Sequence, residues 1–163
     1  MRKTLLTFLV VAVALVLGGG VALAATVRCE GGACEGTASP DTLNGSAARD
    51  AIYGFGSDDR LYGNRGDDLL RGGPGADELY GGPGGDRFYG EGGSDHFYGG
   101  VGRDRMTGGP GKDTLYGGTE DDSIAVQDGR LDVVDCGPGD YDAVVIDREL
   151  DRVSNCENVY WQG

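Results

Sequence analysis

Ten aspartates recur at every ninth residue: Asp41, Asp50, Asp59, Asp68, Asp77, Asp86, Asp95, Asp104, Asp113 and Asp122. A glycine stands five places before each of them, from Gly36 to Gly117, without exception. Aspartate and glycine are both good turn formers, and an ordinary turn could use either. Ordinary turns would not hold one carboxylate in place ten times while the residue before it varies through Pro, Arg, Asp, Ala, Gly, Ser and Lys. A repeated carboxylate beside glycine-rich backbone offers an all-oxygen donor set, which is the chemistry of hard divalent cations. Calcium suits a flexible turn better than magnesium, which demands stricter octahedral geometry and keeps its waters.

These carboxylates must be positioned by the rest of the nine-residue unit. Two places after each aspartate comes one large apolar residue: Leu43, Ile52, Leu61, Leu70, Leu79, Phe88, Phe97, Met106, Leu115 and Ile124. Six glycine-rich residues read as a turn and the last three as a short strand, whose central side chain points inward because strand side chains alternate. Each unit is then half a coil, two units close an 18-residue turn, and unit n stacks on unit n+2. Leu43, Leu61, Leu79, Phe97 and Leu115 form one wall, and Ile52, Leu70, Phe88, Met106 and Ile124 the other. A core one residue deep from each side is thin for so long a chain. The aspartates stack into two columns as well, where like charges ~5 Å apart repel by roughly 3 kcal/mol per neighbouring pair at an effective dielectric near 20. A cation between rungs reverses that sign.

The best units, GGPGADELY (72–80), GGPGGDRFY (81–89), GGVGRDRMT (99–107) and GGPGKDTLY (108–116), match the pattern GGxGxDxUx, with U a large apolar residue. Over residues 36–125 the chain resembles the RTX, or hemolysin-type, calcium-binding repeats, a nonapeptide β-helix signature. The resemblance implies an all-β, right-handed parallel β-roll that binds several calcium ions and folds on binding them. The side-chain ligands it implies are Asp59, Asp68, Asp77, Asp86, Asp95, Asp104, Asp113 and Asp122, with carbonyls of the first, third and fourth or fifth turn positions completing each site. Asp41 and Asp50 are secondary candidates, because units 36–44 and 45–53 lack the second and fourth glycines. Unit 117–125 carries Glu120 in place of its fourth glycine, and unit 54–62 lacks both but gains Gly56. Metal occupancy is therefore expected to fall off towards the ends.

Residues 1–24 read as a secretory signal peptide: Arg2 and Lys3, an apolar run from Leu5 to Leu17, and a small-residue close at Ala22 to Ala24. The apolar run is short for a membrane span, and no cysteine follows directly to take a lipid. The expected location is extracellular. Without those residues 12 basic residues face 27 acidic ones, a net charge of −15, which argues against nucleic acid as a partner. Four cysteines in an exported chain read as two local disulfides, Cys29–Cys34 and Cys136–Cys156. Zinc fits less well, since there is no CxxC pair and His96 lies far from both. Residues 25–35 then form an N-terminal cap. Residues 126–163 form degenerate coils and a C-terminal cap, in which Asp132, Asp142 and Asp151 precede Val134, Val144 and Val153 by two places but bind no metal.

No nucleophile sits in a recognisable elbow or triad, so an enzyme is not expected. The expected role is structural, at the cell surface or in the matrix. A row of exposed tyrosines, Tyr62, Tyr80, Tyr98 and Tyr116, has two readings: cross-strand stacking that stabilises the sheet, or the strip by which an adhesin holds a glycan or surface protein.

Overall fold

A computed structural model describes residues 26–30, 32–147 and 150–161. The expected signal peptide lies outside these residues. Numbered in chain order, the odd strands are β1 Thr26–Arg28, β3 Thr42–Asn44, β5 Arg60–Tyr62, β7 Glu78–Pro83, β9 His96–Val101, β11 Thr114–Thr119, β13 Val133–Asp135 and β15 Arg152–Ser154. The even strands are β2 Gly32–Glu35, β4 Asp50–Tyr53, β6 Leu69–Pro74, β8 Arg87–Gly92, β10 Arg105–Thr107, β12 Ser123–Ala125, β14 Ala143–Ile146 and β16 Asn158–Trp161. The odd strands make one parallel sheet and the even strands the other, each in strict succession. Successive units thus alternate between two sheets, and each unit pairs with the one 18 residues on, for example Leu61 with Leu79 and Leu70 with Phe88. This is the β-roll expected from the period.

The two apolar walls face each other, and all ten of their side chains are buried. The walls run further than the repeat does. Val27 continues the odd wall at one end and Val134 and Val153 at the other, while Cys34, Val144 and Val159 extend the even wall. Val126, at the start of the segment where the glycine register breaks, is also wholly buried. The middle coils depart from the expected three-residue strand. In β6, β7, β8, β9 and β11 the ladder continues for six residues, because the glycine turn itself pairs with the turn above it, as in Gly82 with Gly100. At Gly82 φ is 101°, and a Cβ there would collide with the Asn64 carbonyl of the rung below. Only glycine allows that approach cheaply.

The disulfides are Cys29–Cys34 and Cys136–Cys156, with Cα separations of 5.5 and 5.2 Å. The first ties the end of β1 to β2, joining the two sheets at the first coil. The second ties successive coils behind β13 and β15. Both sit where a solenoid would otherwise offer an open rung. Among the described residues no helix is long and apolar enough to cross a membrane.

Candidate metal columns

Every repeat aspartate is buried, from Asp41 at 3% exposure to Asp77 at 0%, and Asp132 and Asp142 join them. The turn directs each carboxylate inward beneath its own glycine, and the strand that follows fixes its height. Along both columns one oxygen has a set partner. Oδ1 of Asp77 accepts the N–H of Asp59 at 2.7 Å, Oδ1 of Asp86 that of Asp68 at 2.7 Å, and Oδ1 of Asp95 that of Asp77 at 2.8 Å. The same bond continues through Asp122 and Asp132 to Asp142 and Asp151, across spacings of 19 and 20 residues where the repeat has loosened.

The other oxygen is orphaned. In the ten aspartates from Asp59 to Asp142, Oδ2 is buried and has no hydrogen-bond partner. Buried charge without a partner is costly. For Asp59, Asp68, Asp86, Asp95, Asp104 and Asp122 the same glycine faces both this oxygen and a backbone carbonyl of the next rung: a Cβ built on Gly63 would meet Asp68 Oδ2 at 2.6 Å and the Gly81 carbonyl at 2.7 Å. Carboxylate and carbonyl oxygens converge there. Among the described residues no three acidic, histidine or cysteine side chains meet at one point. With one carboxylate per rung in each column, a coordination shell must be completed by backbone carbonyls, which is what calcium accepts.

Burial pushes the carboxyls far above their ordinary 3.8, with neighbouring carboxylates adding to the shift and the N–H bonds opposing it. Asp59, Asp68 and Asp113 rise to about 6, Asp77, Asp86, Asp95, Asp122 and Asp132 to about 7, and Asp104 to about 8. Packed this way, the columns hold either protons or a cation.

The column ends are different. Oδ2 of Asp41 accepts the Thr37 N–H and hydroxyl, at 2.5 and 2.9 Å, and Oδ2 of Asp50 accepts the Ser46 N–H and hydroxyl, at 2.6 and 2.8 Å. Position two has positive φ in every unit from Phe55 to Gly118, but not at Thr37 or Ser46. A hydroxyl residue there refolds the turn and occupies the oxygen that is orphaned elsewhere. At the far end Asp151 Oδ2 accepts the Asp147 N–H at 2.7 Å, and Glu157 Oε2 takes the N–H of Asp142 at 3.0 Å in place of a further aspartate. From sequence, Thr37 and Ser46 look only like lost glycines. Asp132 and Asp142, expected to be metal-free, share the orphaned geometry of the repeat aspartates. Non-glycine residues also hold the repeat turn: Phe55, Ser57, Asn64, Glu91 and Glu120 have φ between 72° and 81°.

Outside the columns, Tyr62, Tyr80, Tyr98 and Tyr116 stack face to face, with centroids 4.9, 4.7 and 5.3 Å apart and planes within 14°. The stacking leaves three of them half-buried, against the expected exposure, and only Tyr116, at 41%, is exposed. A glycan would need ring faces, and these rings spend their faces on each other. Replacing Tyr80 and Tyr98 by threonine should lower thermal stability modestly, since each aromatic pair contributes about 0.5–1.5 kcal/mol beyond its area. Any surface attachment should survive. Thermal melts in calcium beside an attachment assay check this; attachment lost at unchanged stability would restore the adhesive reading of the row.

A two-sheet solenoid lined by buried carboxylates that converge with turn carbonyls belongs to the class of metal-binding repeat β-solenoids. The model of the RTX calcium-binding nonapeptide repeat matches residues 35–70, 71–106, 89–124 and 107–130. The chain belongs to that family. Neither curated proteins nor solved structures provide a match.

Proposed function

We propose that this chain is a secreted, non-enzymatic β-roll that is ordered by calcium after export and serves a structural role at the cell surface or in the matrix. The observation that carries the reading is the run of ten buried Oδ2 atoms from Asp59 to Asp142, each without a partner. Calcium supplies the missing charge, held by those carboxylates and by first-position carbonyls such as that of Gly81. What the chain's own residues do is set the height of each carboxylate, keep the turns open by glycine, and exclude water from the core side.

The same reasoning sets where the ion row begins. Asp41 and Asp50 have their Oδ2 atoms occupied by Thr37 and Ser46, and only Oδ1 of Asp50 is left buried without a partner, which supports assigning those two turns to the cap and not to the ion row. Calcium counting by equilibrium dialysis on the mature chain should give several ions. The count should be unchanged in the double variant Asp41→Asn/Asp50→Asn. A chain that retains no calcium at millimolar concentration would end the proposal. A count that falls in the double variant would move the start of the column back to Asp41.

A further inference from the structure

The chain carries net charge −13, yet four arginines gather on one side of it. Arg49, Arg87, Arg103 and Arg105 line a depression of about 250 Å³ where the turns lead into the even sheet, with Asp67 among them. Arg87 and Arg105 sit directly opposite each other on β8 and β10. Like charges in register destabilise a sheet. The odd sheet shows how this chain pairs such a position: Arg60 and Glu78, also in register, meet at 3.1 Å. In the turns that precede β10 and β12, Arg103 reaches Asp121 at 2.7 Å, but among the described residues Arg49, Arg87 and Arg105 make no salt bridge. The one acid on the rim, Asp67, already accepts the Gly85 N–H at 3.0 Å. Asp68, beneath it, belongs to the metal column.

We infer that this face binds an anionic polysaccharide, with the arginine forks taking carboxylates or sulfates spaced along an extended chain. Guanidinium groups pair with such planar or tetrahedral oxyanions through two hydrogen bonds at once. The opposed pair, Arg87 and Arg105, is spaced by one rung, ~4.8 Å, and Arg49 and Arg103 from the preceding turns carry the basic lining on along the roll. That geometry suits a narrow linear polymer. A nucleic acid duplex, wide and charged on all sides, would reach over the acidic turns that flank the sheet. The inference rests on the calcium-ordered roll, because the four arginines come from three different coils and meet only when these are stacked.

The test is binding of the calcium-loaded mature chain to chondroitin sulfate at physiological ionic strength, with neutral dextran and random double-stranded DNA as comparisons. The wild type should bind chondroitin sulfate and neither comparison. Arg87→Gln/Arg105→Gln should weaken binding about tenfold or more, and Arg87→Glu/Arg105→Glu should abolish it. The charge-matched control Arg60→Glu/Lys112→Glu should bind as the wild type does. Circular dichroism in calcium accompanies each variant, so a lost roll is told apart from a lost surface. No binding by a folded wild type, equal loss in the control pair, or preference for DNA would each overturn the inference. Self-association lost in the Arg87/Arg105 variants, with chondroitin sulfate ignored, would instead assign the face to a second copy and also overturn it.

Discussion

Asp86→Ala should raise the calcium concentration needed for half-folding by at least about tenfold, whereas Asp41→Ala should shift it by less than about threefold. Asp86 lies in the middle of its column, where Oδ1 accepts the Asp68 N–H at 2.7 Å and Oδ2 is buried and orphaned. The substitution removes a carboxylate from the ion row and strands a buried donor, and the stranded donor alone costs about 1–3 kcal/mol. Because each rung touches only its neighbours, a break in the middle also uncouples the two halves of the roll. Asp41 sits at the capped end, where its loss releases Thr37 and frays one turn. Folding midpoints from calcium titrations of the two variants decide the matter. Equal shifts would mean that the column does not act as a connected row.

Much of this arrangement is legible in the residues, because the period carries it. A glycine, an aspartate and an apolar residue locked in one register dictate the stacking of unit n on n+2, and the two walls then follow by alternation. The local disulfides follow from cysteines placed at both ends of the roll. Features that depend on a contact between coils are less legible. Thr37 and Ser46 occupy a position whose meaning changes only when their hydroxyls are seen on Asp41 and Asp50. Asp132 and Asp142 follow spacings of 19 and 20 residues, so from sequence they read as degenerate coils without metal, although their backbone bonds keep the column intact. The arginine face draws on three coils and two positions of the repeat, a grouping that no single unit displays.

Folding and calcium binding should be one event, and pH should substitute for calcium only in part. For the nine column aspartates from Asp59 to Asp132 the folded pKa, about 6 to about 8, stands above the ordinary 3.8. Folding without calcium therefore takes up protons. The roll is unpenalised below the ordinary value and is progressively destabilised as pH rises through the folded values, where the carboxylates must ionise while buried and side by side. In chelator, lowering the pH from about 8 to about 5 should therefore restore part of the β structure. In calcium the order reverses. Protons and calcium compete for the same oxygens, so the calcium requirement should fall as pH rises over that range.

Circular dichroism of residues 25–163 at neutral pH, titrated from chelator to millimolar calcium, tests the coupling most directly. The columns repel until they are neutralised and the core is one residue deep on each side, so the chain should be largely unfolded in chelator. It should gain its parallel β signal in one cooperative transition, since an ion that joins two rungs prepares the next pair. Full β structure in chelator, unchanged on adding calcium, would contradict the account, even with the coil geometry intact.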